Sequence, residues 1–167
     1  MTLTTHAVVG ATIASTMPSH PVLGFALAFT SHFLLDAIPH WDYSLNSHVK
    51  DDSNHLNDNM QINKNFFFDL IKIGIDMLLG FLLVLFIFAL HGSQLTWIPL
   101  IGLVGGVLPD LLQFIYMKYH HEPLTSLQRF HHWIHAKKRL DNKPFIGIPM
   151  QIFVILIAIF VFKYYII

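Results

Sequence analysis

Three stretches of this chain, 69–90, 97–116 and 149–167, are apolar over about the length of helix that crosses a bilayer, roughly 20 residues at about 1.5 Å each. Inside lipid no water is available to satisfy peptide N–H and C=O groups, so such stretches must be helices. The composition agrees: 54% of residues are hydrophobic and 12% charged, and the mean hydropathy is +0.54. The expected class is all-α, a polytopic membrane helix bundle in one integral membrane domain. Two shorter apolar runs, 6–16 and 22–38, flank the break Met17-Pro18-Ser19-His20-Pro21 and read as a helical hairpin. Its first arm is too short to span upright, which makes it re-entrant or shielded by other helices.

The reading is therefore about five membrane helices plus one interfacial amphipathic helix. It divides the chain into a helical hairpin (1–38), a polar loop (39–65), a transmembrane hairpin (66–117), a basic loop with the interfacial helix (118–147) and a final transmembrane helix (148–167). The short turn His91-Gly92-Ser93-Gln94 closes the transmembrane hairpin. Trp97 and Tyr116 stand where interfacial anchors belong, as do Tyr164 and Tyr165. Gly102 and Gly106 form a small-xxx-small pair suited to close helix packing. Lys118, Arg129, Lys137, Lys138, Arg139 and Lys143 make the 118–143 loop basic, which places it on the cytoplasmic side. The expected location is a bacterial or archaeal cytoplasmic membrane. Counting spans backwards puts the 39–65 loop and the N-terminus on the same side.

This topology gathers an unusual set of ionisable residues at one face. The densest is Ser31-His32-Phe33-Leu34-Leu35-Asp36-Ala37-Ile38-Pro39-His40-Trp41-Asp42. Ionisable groups at the end of an apolar segment are costly unless paired, solvated or bound to metal. His32 and Asp36, four apart, share a helix face and can hold one Zn²⁺ or a similar ion. The competing reading is a hydrogen-bonded pair that satisfies two buried groups. His40 and Asp42, beyond Pro39, are ligands, supporting groups or solvated loop residues. His6 begins the first run and lies beside the end of the second in a hairpin. Asp110 follows Pro109, which frees a carbonyl and opens space for ligation or catalysis. Asp69, Lys72 and Asp76 share a face, with Lys72–Asp76 expected as the internal salt bridge and Asp76 as a secondary ligand candidate.

After Pro123, a favourable helix start, Leu124, Leu127, Phe130 and Ile134 form an apolar stripe flanked by His131 and His135 at i, i+4. The latter two are candidate ligands, and His135 or His131 a candidate general acid. His132 points to the polar side with Arg129. His120 and His121 read as loop residues, and His20, His48, His55 and His91 as histidines without partners.

Several chemistries are excluded. Cysteine is absent, so there are no disulfides or thiolate ligands, and a metal must rest on His, Asp or Glu. Ten Lys and Arg balance ten Asp and Glu, so no global charge argues for nucleic acid. No Lys or Arg precedes Lys50, so the expected N-terminus lacks a signal peptide's basic region.

At His6, Ser31-His32-Phe33-Leu34-Leu35-Asp36, Leu108-Pro109-Asp110 and His131-xxx-His135 the chain resembles the membrane-bound metal-dependent hydrolase family. Its members carry an N-terminal His motif, Leu-Pro-Asp elements and a later His pair among membrane helices. The His-xxx-Asp element is also similar to that of zinc-dependent phospholipase C and the single-strand zinc nucleases, where such residues ligate zinc. Ile38-Pro39-His40-Trp41-Asp42 stands here in place of a plain Leu-Pro-Asp-x-Asp.

The resemblance implies a hydrolase using a divalent metal, zinc first among candidates, on a phosphoester or lipid at the membrane. Its metal ligands would come from His6, His32, Asp36, His40, Asp110, His131 and His135, with Asp110 and His135 as catalytic candidates. Two alternatives stand beside it. One is a small integral membrane protein with a structural or metal-sensing role. The other is a di-iron membrane oxidase, suggested by His131-His132-x-x-His135, although such enzymes need several His clusters. A lipid phosphatase of the vanadium-haloperoxidase type would require an upstream Arg and a Pro-Ser-Gly-His element, and neither occurs.

Overall fold

The computed structural model describes residues 1–51, 53–90 and 97–166. Among these the chain forms six α-helices: α1 (Leu3–Ser15), α2 (Pro21–Asp36), α3 (Lys64–Leu90), α4 (Trp97–Tyr116), α5 (Leu124–Ile134) and α6 (Pro144–Ile166). The all-helical class holds. The turn expected at 91–94 lies outside the described residues, as does the side chain of Tyr165.

The count of five membrane helices is replaced by a coarser result. Among the described residues three helices are long and apolar enough to cross a membrane, Lys64–Ala89, Trp97–Tyr116 and Pro144–Tyr164. The apolar helices α1 and α2 are shorter; at about 1.5 Å per residue neither reaches the ~30 Å of a hydrocarbon core. Two expected boundaries also move. The third helix starts at Lys64 and the last at Pro144, because Pro is well placed in a first helical turn, where the N–H is orphaned anyway. Pro149 lies inside α6.

The short helix α1 is the centre of the bundle and packs against α2, α3, α4 and α6. Its sequence explains why. Thr, Ala, Val, Gly and Ser are small on every side, so four helices can close on it at once. Ala7, Val8 and Ala11 meet Val84, Ile87 and Phe88 of α3, Leu103 of α4 and Phe162 of α6 in the core. Nearest of all is α4. A Cβ on Gly102 would run into the carbonyl of Gly10, and one on Gly106 into that of His6. Glycine at both positions is what lets the two backbones touch.

Burying a helix start leaves orphan N–H groups that need partners. The start of α1 finds them on two of the long apolar helices, α3 and α6. Asp76 of α3 accepts from Leu3 N at 2.7 Å and Thr4 N at 3.0 Å, and from the Thr4 hydroxyl at 2.6 Å. Gln151 of α6 accepts from Thr2 N at 2.9 Å and Thr2 Oγ1 at 2.8 Å, and donates to Trp41 O at 2.8 Å. A carboxylate against a helix N-terminus is favoured by the helix dipole. The expected Lys72–Asp76 bridge is accordingly not formed. Lys72 instead reaches Asp69 at 3.0 Å and Ser44 O at 2.9 Å, because Asp76 is committed to α1.

The polar loop carries a two-residue antiparallel pairing, β1 (His48–Val49) with β2 (Asn59–Met60), and a 3₁₀ turn at His55–Asn57. Asp69 accepts from Ser47 N and Oγ, both at 2.7 Å, and Tyr116 donates to Leu56 O at 2.9 Å. These contacts fold the loop back over the end of the bundle where α1 starts.

Candidate metal centre

Asp36, the last residue of α2, is 1% exposed and is the hub of the site. Its two oxygens face groups from four parts of the chain. Oδ1 lies 2.7 Å from the Met1 amino group, 3.2 Å from His6 Nε2 and 3.8 Å from His40 Nε2. Oδ2 lies 3.0 Å from His131 Nε2 and 3.3 Å from His32 Nε2. Asp110 completes the approach from α4, its Oδ1 3.5 Å from His32 Nε2.

Each residue is placed by its own element. His6 sits on the first turns of α1, held in depth by Asp76 and Gln151. His32 and Asp36 occupy successive turns of one face of α2. Pro109 deprives α4 of one N–H, which a regular helix would direct at the carbonyl of Gly105. The next carbonyl, Gly106 O, receives Nδ1–H of His32 at 2.8 Å. Two backbone bonds dock the segment after α5 onto the end of α2, Ala136 N to Asp36 O at 2.8 Å and Leu140 N to His40 O at 2.9 Å. They carry His131 and His135 to the site. On α5 the buried residues are Gln128 and His131, whereas Phe130 of the expected apolar stripe is 42% exposed. The side of α5 facing the protein is thus its polar His side.

A carbonyl only accepts, so His32 must carry its proton on Nδ1 when neutral, which leaves Nε2 as a lone pair. That lone pair faces two carboxylate oxygens and has no hydrogen-bond partner. Both ring nitrogens of His6 are likewise buried without one. The two rings stack, with centroids 3.9 Å apart. His40 repeats the pattern: Nδ1–H donates to Ile38 O at 2.7 Å, and Nε2 accepts from the Met1 amino group at 2.9 Å. A ring whose far nitrogen is tied to a backbone carbonyl is the usual arrangement of a metal-binding histidine.

Among the described residues two sets of donor atoms are compact enough to hold an ion, each with all atoms within 4.8 Å of one another: His32, Asp36, Asp110 and His131, and Asp36, His40 and His135. Asp36 belongs to both. His6 belongs to neither set and meets the centre at Asp36. The buried, unpartnered Nε2 of His32 and the nitrogen–oxygen donor set fit a divalent cation of borderline or hard character. Between Asp36 and His40 a cation is already in place, the Met1 ammonium.

Of the remaining loop groups, burial and the nearby Met1 ammonium hold the pKa of His40 down to about 4. Burial also lowers that of His135 and raises that of Asp42 to about 7 against the pull of the same ammonium. Asp42 accepts from its neighbour Tyr43 N, at 2.8 Å, and lies outside both donor sets. His48 and His55, expected to be without partners, have them: His48 Nε2 is 3.2 Å from Asp58 Oδ2, and His55 stacks on His132 with centroids 3.6 Å apart. Asp76, the secondary ligand candidate, is a helix cap. Sequence reasoning missed the Met1 amino group, the Gly106 carbonyl and Gln151. Only Gln151 had a visible signal, as a side-chain amide in an otherwise apolar span.

Comparison of the chain with protein-family models, with curated proteins and with solved structures finds no match.

Proposed function

We propose that this is a membrane protein with a divalent-metal centre on Asp36, acting as a metal-dependent hydrolase of phosphoester or lipid substrates at the cytoplasmic membrane face. The observation that carries it is the Nε2 of His32, fully buried without a hydrogen-bond partner and aimed at Asp36 and Asp110 at 3.3 and 3.5 Å. With His32 neutral, that nitrogen is a lone pair facing two carboxylates, and a divalent cation among them relieves the repulsion. His32, Asp36, Asp110 and His131 would hold it. A divalent ion there supplies Lewis acidity, which lowers the pKa of water and polarises a phosphoryl or carbonyl oxygen. Asp110 has a 29% exposed side chain and is the member of the set that can also face a substrate. His135, at the end of α5, is the proton donor in this reading. The basic residues of the 118–143 loop support the cytoplasmic placement.

One observation favours a second, non-enzymatic reading. The Met1 ammonium already neutralises Asp36 at 2.7 Å, so the cluster can act as internal packing for α1 and α2. Metal analysis of purified protein, with and without His32→Ala plus Asp36→Ala, separates the two. The hydrolase reading expects stoichiometric zinc or a similar ion in the parent and its loss in the variant, with turnover of a chromogenic phosphodiester that follows the metal. Equal, substoichiometric metal in both proteins would sink it.

A further inference from the structure

We infer that the cavity between α3 and α4 is an alkyl-chain site, so that the substrate of the Asp36 centre is a membrane amphiphile with its chain between these helices and its head at Asp110. The chain site stands on geometry alone, and the placement of the head rests on the metal-hydrolase reading. Although consecutive, α3 and α4 meet over only a short length, since α1 lies between them for most of it. Near the start of α1 they enclose about 400 Å³, within the roughly 300–1,000 Å³ of small-molecule sites. The walls are Ile73 and Met77 of α3 and Val107, Leu111 and Phe114 of α4.

Three features select an alkyl chain. No Lys or Arg lines the cavity, so no cationic side chain holds an anionic group along its length. Its polar lining includes Asp42 and Asp110, and Asp110 is also a member of the His32–Asp36–His131 donor set. Finally, lining residues Leu70 and Leu111 are 40% and 53% exposed on membrane-crossing helices. The cavity therefore opens sideways to the bilayer interior, the source of such chains. Methionines at 60, 77 and 117 on its wall suit a flexible ligand, because the unbranched thioether side chain adapts to irregular shapes.

The test is photolabelling of the full-length protein in lipid nanodiscs with a diazirine-bearing palmityl alcohol, followed by peptide mapping. Zinc content is measured on the same samples. Labelling is expected to concentrate on the segments around Ile73–Met77 and Leu111–Phe114, above the lipid-facing Leu78 and Leu82. Ile73→Trp fills the cavity and should cut that labelling by about tenfold, a loss of about 1.4 kcal/mol, with zinc content unchanged. Ile75→Trp, on the outer face, should leave it intact. Met77→Phe is the milder filling variant should Ile73→Trp not fold. Labelling spread evenly over α3 and α4, or undiminished by a folded filling variant, overturns the chain site. Focused labelling of a parent that holds no zinc would sink the hydrolase reading and leave the chain site standing.

Discussion

His6 and His32 stack ring on ring, centroids 3.9 Å apart and planes 22° apart, although they belong to different helices. The stack fixes both imidazoles at the hub, and His6 Nε2 is 3.2 Å from Asp36 Oδ1. His6→Phe keeps a flat ring in the stack and removes both nitrogens. Zinc titration of the folded variant should show affinity reduced about 10- to 100-fold, the usual effect of losing a group that supports a ligand. Full retention of affinity would assign His6 to packing alone.

Asp36→Asn removes the one carboxylate that faces the Met1 ammonium and four imidazoles. Leaving a buried cation uncompensated costs about 3–5 kcal/mol. Thermal unfolding in detergent without added metal should register that loss, and the zinc-induced rise in Tm expected of the parent should be absent from the variant. A variant as stable as the parent would show that the hub charge is dispensable.

Asp76→Ala should cost roughly 1–3 kcal/mol, because the Leu3 and Thr4 N–H groups at the start of α1 lose their acceptor. Its zinc content should match the parent's when the protein folds, since Asp76 caps a helix and touches no member of the donor sets. Loss of metal with stability unchanged would contradict this division of roles.

Glycines on two helices should respond in opposite ways. Gly102→Ala puts a methyl against Gly10 O and Ala14 Cβ and should destabilise by about 1–3 kcal/mol. Gly74→Ala on α3 meets open space and should stabilise by about 0.5–1 kcal/mol through helix propensity. Paired melting curves check both signs.

His48 gives the polar loop a pH dependence. Burial lowers its pKa below 6.5, although the Asp58 carboxylate pulls the other way. Between the folded value and 6.5 the unfolded loop binds the extra proton, so stability falls as pH drops through that window and is level above it. Amide exchange at Val49 and Asn59, corrected for intrinsic rates, should show less protection at about pH 5.5 than at about pH 7.5. His48→Gln should flatten the difference, and greater protection in acid would reverse the assignment.

The sequence by itself determined what is local. The apolar lengths of 69–90, 97–116 and 149–167 are readable because crossing a bilayer requires one side-chain chemistry over one helix length. The i, i+4 pair His32–Asp36 is readable because helical spacing is fixed. The small-residue pair Gly102 and Gly106 is readable because only glycine permits backbone contact of the kind seen with Gly10 and His6. Positive-inside counting also placed His6, Asp36, Asp110 and His131 at one end of the bundle, where they meet.

Only the tertiary structure decided how that end is used. Asp76 has Lys72 at helical spacing, yet the N–H groups of Leu3 and Thr4 take it, because a helix start in an apolar interior has no other acceptor while Lys72 finds Asp69 and Ser44 O. The tautomer of His32 is set by Gly106 O, a group without sequence identity. Asp36 meets the Met1 amine, and α5 turns its His side inward. These are pairings between distant segments, selected by the need to satisfy every buried polar group at once, and no periodicity along the chain records them.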